Sequence, residues 1–286
     1  MKIAQLSTPF ITLPPANYGG TELVVYNLSE GLIKKGHNVT VYAPGDSKTS
    51  ARLISGFPKA IHYDKMNKLF SPLAEKLFWM HSLPTMYHAI LPFEHADKYD
   101  LIHNHIHYIG LQYSSLVNTP SVHTYHGDFS SAINSPIEKM ILEKYKNHNW
   151  IAISKTQKIN CPVKLNFVGI VHHGIPIEKY EYNQSNQNYL AWIGRITPNK
   201  GLIEAIKVAK ITNHHLIIAG IIRERDKVYF ESEVKPLIDE KTIHFVGALN
   251  LNKKVHMLKK AKALLYPVKW EEPFGLVMIE AMATGT

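Results

Sequence analysis

Two glutamates near the end of the 286-residue sequence, Glu272 and Glu280, enclose a Pro-Phe-Gly sequence. Pro273 suits the first turn of a helix, so the spacing predicts Glu272 in a loop and Glu280 inside the following helix. If the whole segment were helical, the carboxylates would lie about 12 Å apart along the axis, which is the span from a sugar across a diphosphate to a ribose. Carboxylates accept hydrogen bonds from hydroxyl groups, and the amides of residues 274–276 would attract an anion.

A second candidate site is the segment between Gly194 and Gly201, which contains Arg195 and Lys200. Arginine offers a planar fork of donors and lysine a compact charge, so the pair could hold a diphosphate from two directions. A solvated basic loop is the alternative interpretation. The position after the first strand of an α/β unit favours a ligand site, because ligands bind at the carboxyl ends of such strands.

Gly19 and Gly20 lie between the first predicted strand and the first long helix. Glycines there let a ligand approach the backbone, and a helix N-terminus attracts anions. A tight strand-to-helix turn explains them equally well. The sequence has no Gly-x-Gly-x-x-Gly fingerprint at this place and no Walker-type Gly-Lys-Ser/Thr, which disfavours a dinucleotide or P-loop site.

Three histidines, His103, His105 and His107, alternate along the chain. On a strand they would share one face, with a spacing that a metal ion accepts. No Asp-x-Asp pair occurs in the sequence, so a catalytic metal held by such a pair is not expected.

The elements that must position these residues follow from an alternation of β-branched runs and amphipathic segments, which predicts parallel sheets covered by helices. A helix is expected over 20–35, because Lys34, Lys35 and Gly36 form a typical helix end. Strands are expected at residues 2–7, 37–42, 100–104, 120–125, 149–153, 168–172, 190–193, 216–220, 242–246 and 263–266. Further helices are expected at 201–211, 226–238 and 251–260, and from Pro273 or Phe274 onward.

A polar stretch without apolar periodicity, residues 181–188, interrupts this alternation and predicts an interdomain connection. We therefore predict two α/β domains, residues 1–184 and 185–286, with the ligand cleft between them. The alternation predicts a strand after the last helix, and the sequence ends at Thr286 before one, so the second domain is expected to be incomplete.

Residues 52–93 carry apolar side chains at helical spacing, with lysines among them. Core packing is the most economical explanation. The alternative is a helix that faces the acceptor or lies on an anionic membrane. The apolar positions are Met66, Leu69, Phe70, Leu73, Leu77 and Met80.

Composition limits the possible classes of protein. The net charge of +9 favours anionic partners, namely phosphorylated small molecules, nucleic acid or an acidic membrane face. Cys161 is the only cysteine, which excludes an internal disulfide and a cysteine-built zinc site. The apolar runs are too short to span a bilayer and no signal peptide is recognisable, so a cytoplasmic location is expected, with contact to the inner membrane face as an addition.

The Glu-x7-Glu pattern in a Glu-Pro-Phe-Gly setting, downstream of Gly-Arg…Lys-Gly, resembles family 4 glycosyltransferases. The resemblance covers essentially the whole chain and includes residues 19–22, 100–105 and 123–128. His173-Gly174-Ile175-Pro176 departs from it, because the family often has Asn-Gly-Ile/Val-Asp there. The resemblance implies a GT-B fold, in which two Rossmann-like domains face each other across a cleft, here with the second domain incomplete.

The resemblance also implies a role for each site residue. Arg195 and Lys200 would neutralise the diphosphate, and Glu280 would accept hydrogen bonds from the ribose. Glu272 would accept them from the transferred sugar, and His126 would lie near the reactive carbon with its main-chain carbonyl or its ring. The predicted catalytic set is His126, Arg195, Lys200 and Glu272. The predicted donor-binding set is Gly19, Gly20, Gly194, Arg195, Lys200, Glu272, Phe274, Gly275, Leu276 and Glu280.

The activity that the resemblance implies is retaining transfer of a hexosyl-type group from a nucleotide-diphosphate sugar to a small-molecule, glycan or lipid-linked acceptor. No cofactor and no metal are expected, since the family has histidines near the cleft without a metal and the two cations do the metal's work. The alternative is a catalytically silent fragment that binds nucleotide sugar without turnover. A nucleic-acid partner rests on net charge alone and is not expected.

Overall fold

The computed structural model describes residues 1–61 and 76–286, which divide into two compact units. Met1–Pro15 and Gly19–Gly174 form the first unit, while Ala16–Tyr18 and Ile175–Thr286 form the second. Each unit contains its own parallel sheet. The chain passes into the second unit after Gly174, before the polar stretch that predicted the domain boundary.

The first unit contains a seven-stranded sheet. Its strands in chain order are β1 (Lys2–Leu6), β2 (Asn38–Tyr42), β3 (Arg52–Ile54), β4 (Leu101–Asn104), β5 (Ser121–Thr124), β6 (Asn149–Ala152) and β7 (Phe167–Ile170). The order across the sheet is β3-β2-β1-β4-β5-β6-β7, and all neighbours are parallel. The order reverses between β1 and β4, and the crevice at the carboxyl ends of such strands is where open α/β sheets bind ligands.

Helices follow the strands of the first unit, as the alternation predicts. They are α1 (Gly20–Lys34), α2 (Lys76–Ile90), α3 (Ile109–Ser114), α4 (Ser130–Asn134), α5 (Pro136–Lys144) and α6 (Lys155–Ile159). Gly36 follows α1 with a φ of 82°, in keeping with the predicted helix end. Four of the apolar positions predicted between residues 52 and 93, Met66, Leu69, Phe70 and Leu73, lie outside the described residues.

The second unit contains a four-stranded parallel sheet in the order β10-β9-β8-β11. Its strands are β8 (Tyr189–Arg195), β9 (His215–Ile221), β10 (Ile243–Phe245) and β11 (Ala263–Leu264), and its helices are α7 (Leu202–Ile211), α8 (Lys227–Tyr229), α9 (Leu251–Leu258) and α10 (Leu276–Ala283). A π-helical stretch, Phe230–Val234, continues α8. Trp192, Ile196, Leu202 and Ile218 are buried in the core where α7 covers the sheet.

Helix α10 begins later than the sequence predicts. Pro273 and Phe274 lie in a loop, and Gly275, with a φ of 79°, is the N-cap residue before Leu276. The predicted start near Pro273 or Phe274 is slightly too early, because the left-handed Gly275 interrupts the backbone between the proline and the helix. The estimate of about 12 Å between the two carboxylates assumed a continuous helix and does not apply.

None of the helices formed by the described residues combines the length and the apolar character needed to cross a bilayer.

Candidate functional site

The predicted cationic loop follows β8 in the second unit. Arg195 ends the strand, and Pro198–Lys200 form a short 3-10 turn before α7. The backbone N–H of Lys269 donates to the carbonyl of Asn199 at 2.8 Å. This bond ties the cationic loop to residues 265–275, the acidic loop that leads into α10.

Gly201 lies where these two loops are in closest contact. Its φ is 69°, and a Cβ atom built on it would lie 1.8 Å from the carbonyl oxygen of Pro267. Both the left-handed backbone and the close approach exclude a side chain. Gly201 is therefore required for the two loops to meet.

Replacing Gly201 by alanine is expected to lower the free energy of unfolding by more than about 2 kcal/mol, because left-handed strain and the clash with Pro267 add together. Gly247→Ala is the matched control, since Gly247 has a φ of 72° but no atom of the described part of the chain lies within 4 Å of the added Cβ. This control carries only the left-handed strain, about 1–2 kcal/mol. Urea unfolding of both variants measures the difference, and equal losses would show that the contact between the loops tolerates a methyl group.

Lys200 and Glu272, which the sequence predicts in one site, are in direct contact. The Lys200 ammonium donates to Glu272 Oε2, and the two side chains are only 17% and 16% exposed. The same ammonium lies 4.7 Å from the centre of the Trp270 ring. Burial raises the pKa of Tyr266. The Glu272 carboxylate, to which the Tyr266 hydroxyl is hydrogen-bonded, raises it further. The site therefore holds a cation against the Trp270 ring and an anion bonded to Lys200 and the Tyr266 hydroxyl.

Arg195 lies beside other cations and lacks a partner for one of its donors. Its Nε is buried and has no hydrogen-bond partner in the part of the chain that the structure describes. Burial lowers the pKa of Arg195, and repulsion from Arg223 and Arg225 lowers it further against the opposing effects of Tyr18 and Asp226. A buried cationic donor without a partner is costly, and an anion would remove that cost.

Glu280 lies inside α10, as predicted, and is 3% exposed. Its Oε1 accepts a hydrogen bond from the Tyr180 hydroxyl at 2.8 Å and also contacts the Lys254 ammonium. Burial raises the pKa of Tyr180, and the negative charge of Glu280 raises it further. Sequence reasoning missed Lys254 and Tyr180, because neither lies near the Glu-x7-Glu pattern and no local signal marks them.

The remaining predicted donor-binding residues lie in different units. Gly275 and Leu276 form the start of α10, Phe274 precedes them in the acidic loop, and Gly194 lies within β8 in the second unit. Gly19 and Gly20 are the N-cap and first residue of α1 in the first unit.

A Cβ atom on Gly19 would lie 2.9 Å from Glu22 Oε2, and Glu22 Oε1 accepts a hydrogen bond from the Thr8 hydroxyl at 2.6 Å. The tight-turn interpretation thus accounts for Gly19 within its own unit.

His126 follows β5 in the first unit. Its Nε2 lies 2.9 Å from His105 Nδ1, and its Nδ1 lies 3.3 Å from His173 Nε2, so both ring nitrogens are engaged. The Gln157 amide donates to the carbonyl oxygens of Tyr125 at 2.8 Å and Gly127 at 2.6 Å. These bonds on either side of His126 hold its backbone in place.

The three alternating histidines do not share a strand face. β4 ends at Asn104, so His105 and His107 lie beyond it, and His107 has a φ of 43°. His103 Nε2 lies 2.8 Å from the Thr124 hydroxyl. Among residues 1–61 and 76–286, no group of three or more His, Cys, Asp or Glu side chains has a geometry suited to a metal ion.

Comparison with known proteins decides the family. The model of Glycosyltransferase Family 4 matches residues 18–178, more than half of the chain, and the model of Glycosyl transferases group 1 matches residues 177–286. The chain belongs to glycosyltransferase family 4. An uncharacterized glycosyltransferase of Methanocaldococcus jannaschii is 27% identical over 100% of this chain and 79% of its own length. The O-antigen chain mannosyltransferase C of Escherichia coli is 22% identical over 94% of this chain and 74% of its own length.

Solved structures share the fold of this family 4 glycosyltransferase. Sucrose-phosphate synthase from Thermosynechococcus elongatus superposes with a TM-score of 0.73 at 20% identity, covering 100% of this chain and 79% of that one. The Anabaena protein HepE in complex with UDP gives a TM-score of 0.65 at 16% identity, with the same coverage of both chains. The predicted GT-B fold and the resemblance to family 4 are thus confirmed.

Proposed function

We propose that this glycosyltransferase moves a hexosyl-type group from a nucleotide-diphosphate sugar to an acceptor hydroxyl, with retention of configuration. The observation that carries the proposal is the buried Nε of Arg195, which has no partner among the described residues, in a loop that also presents Lys200. A nucleotide diphosphate supplies the anionic oxygens that such a pair recognises. UDP in the structure of HepE supports this choice of ligand class.

The proposed mechanism is electrostatic. Cleavage of the anomeric C–O bond builds negative charge on the departing diphosphate and positive charge on the sugar. Arg195 and Lys200, with the amides at the start of α10, stabilise the negative charge without reorganising during the reaction. Glu272 accepts a hydrogen bond from a hydroxyl of the transferred sugar, and its contact with Lys200 holds its carboxylate ready in the free enzyme.

We assign the sugar-facing role of His126 to its main-chain carbonyl. Both ring nitrogens already have partners, so the ring could hold a sugar hydroxyl only by breaking one of these bonds. A carbonyl dipole stabilises the positive charge that develops on the sugar. The bonds from Gln157 to the neighbouring carbonyl oxygens keep the backbone in position for this role.

The proposed reaction needs no metal and no cofactor, because Arg195 and Lys200 neutralise the leaving group. A chelator added to the assay is therefore expected to leave the turnover unchanged, whereas strong inhibition by the chelator would contradict this part of the proposal.

Replacing Glu280 by alanine is expected to raise the KM for the donor about tenfold with a smaller effect on kcat, because the ribose loses a hydrogen-bond acceptor. The described contacts of Glu280 fall on Oε1, and we assign Oε2 to the ribose. Tyr180→Phe is the matched control, because it removes the bond to Oε1 and keeps the carboxylate. Steady-state kinetics on both variants tests the assignment, and an unchanged KM in Glu280→Ala would show that this carboxylate does not hold the ribose.

A donor screen tests the function itself. The Tm is measured with UDP, GDP and ADP and with their sugar conjugates, because a ligand that binds the folded state raises the Tm by an amount that grows with the ratio of ligand concentration to Kd. Sugar transfer is then assayed with each conjugate that binds. We expect one nucleotide to stabilise the protein and its conjugate to be turned over. Stabilisation without turnover would favour a silent binding protein, and no stabilisation by any of them would contradict the donor site.

A further inference from the structure

Four side chains in the first unit form a continuous hydrogen-bonded chain that passes through His126. Gln5 Oε1 lies 2.8 Å from His105 Nε2, and His105 Nδ1 lies 2.9 Å from His126 Nε2. His126 Nδ1 then lies 3.3 Å from His173 Nε2. Gln5 lies on β1, His105 after β4, His126 after β5 and His173 after β7, so the chain crosses the carboxyl edge of the sheet.

The rings in this chain lie side by side with small interplanar angles. The centroids of the His105 and His126 rings lie 5.1 Å apart at an interplanar angle of 27°, and those of His126 and His173 lie 5.1 Å apart at 26°. Gln5 is fully buried and His105 is 2% exposed. His126 and His173 are half-buried, and their contacts with neighbouring rings restrict how they can turn.

With the Gln5 amide oriented so that Oε1 faces His105, counting hydrogens along the chain leaves one arrangement, and the opposite orientation of that amide would reverse every ring. A neutral imidazole has one N–H and one lone pair, and an amide oxygen only accepts hydrogen bonds. Because Gln5 Oε1 faces His105 Nε2, that nitrogen carries the hydrogen, and His105 Nδ1 must accept from His126 Nε2. His126 Nδ1 in turn accepts from His173 Nε2. The amide oxygen of Gln5 thus sets the tautomer of every ring.

We propose that Gln5, His105 and His173 are positioning residues that hold the His126 ring in one neutral tautomer, with Nε2 donating and Nδ1 accepting. A protonated His126 would direct its Nδ1–H at the Nε2–H of His173, so the hydrogen bond from His173 would be lost. The ring therefore acts as an anchor for the backbone at His126. The inference rests on the proposed role of that backbone.

The surroundings of the chain favour the neutral rings. Burial, followed by repulsion from neighbouring histidines, holds the pKa of both His105 and His126 well below the usual value. Burial and His172 lower the pKa of His173 to about 4. At neutral pH the three histidine rings carry no charge. The direction of the hydrogen bonds that join them is therefore decided by which nitrogens donate and which accept.

The contact between His173 and His126 also explains how a histidine can stand at position 173, where the family 4 pattern often has asparagine. The resemblance to family 4 places an asparagine at this position, and an asparagine side-chain amide is a donor as well. Either residue can donate to His126 Nδ1, whereas an aliphatic side chain cannot. His173→Asn and His173→Leu therefore form a matched pair that separates the hydrogen bond from the loss of the ring.

The test reads the tautomer directly. The protein is labelled with ¹⁵N-histidine, and two-bond ¹H–¹⁵N correlation spectra distinguish a protonated from an unprotonated ring nitrogen, with His126 assigned from His126→Asn. We expect Nε2 protonated and Nδ1 unprotonated in the wild type, with a shifted Nδ1 signal in His173→Leu and a mixture of tautomers in Gln5→Leu. The reverse tautomer in the wild type, or no change in either variant, would overturn the proposal.

Kinetics complete the test on the variants that thermal unfolding shows to be folded. We expect His173→Leu to lower kcat about tenfold at unchanged donor KM, which is the effect of one hydrogen bond, and His173→Asn to restore most of it. Equal kcat values for both variants would overturn the proposal even with the expected spectra. The spectra are recorded without donor, so they test the tautomer of His126 independently of activity. Failure of the proposed function would be seen instead as absent turnover in the wild type.

Discussion

Arg195→Ala is expected to lower kcat by about 10²–10³-fold, the usual cost of removing one pre-positioned donor from a developing anion. The free enzyme holds this guanidinium half-buried, and within residues 1–61 and 76–286 its Nε has no partner, while Arg223 and Arg225 are close enough to lower its pKa. Stability should change little or rise, because the substitution removes a cation whose desolvation is not repaid in the free enzyme. Activity and stability thus move in opposite directions, which is typical of a residue that serves the ligand.

Two further variants make this prediction specific. Arg195→Lys keeps the charge but loses the planar fork, and we expect it to recover only part of the lost turnover. Arg52→Ala removes an exposed arginine on β3 of the first unit and should leave kcat unchanged. Steady-state kinetics and urea unfolding of the three proteins give the comparison. Near-wild-type turnover in Arg195→Ala would remove this residue from the donor site.

The sequence allowed the fold to be predicted because its signals are local. Alternating apolar runs predict the strands and helices, and basic residues followed by Gly36 predict the end of α1. The start of α10 escaped this reasoning, because Pro273 is a favoured helix-start residue while Gly275 adopts a positive φ that depends on its tertiary setting.

The contacts within the candidate site could not be predicted from the sequence, for a different reason. Motif spacing identified Glu280 but not Tyr180, which is 100 residues away and reaches it through the fold. The histidine chain joins residues from four strand ends, and Gln5 carries no motif of its own. Such pairings are set by strand order and register, which a single sequence does not reveal.

The contact between Lys200 and Glu272 predicts a second large effect, in which stability and activity separate. Either single substitution to alanine leaves the other charge partly buried without its partner, so we expect each to lower the free energy of unfolding by about 1–3 kcal/mol. Each should also lower kcat by at least about 10²-fold, since Lys200 acts on the diphosphate and Glu272 on the sugar.

The double variant Lys200→Ala/Glu272→Ala decides what the pair is for. Without an unpaired charge it should recover part of the lost stability, while kcat stays at least as low as in the less active single variant, because the diphosphate and the sugar have both lost a contact. Lys259→Ala is the control, since the Lys259 side chain is 16% exposed and pairs with Glu181, away from the two loops. A structural pair would give the opposite pattern, in which kcat recovers together with stability, because the only role of each charge would then be to satisfy the other.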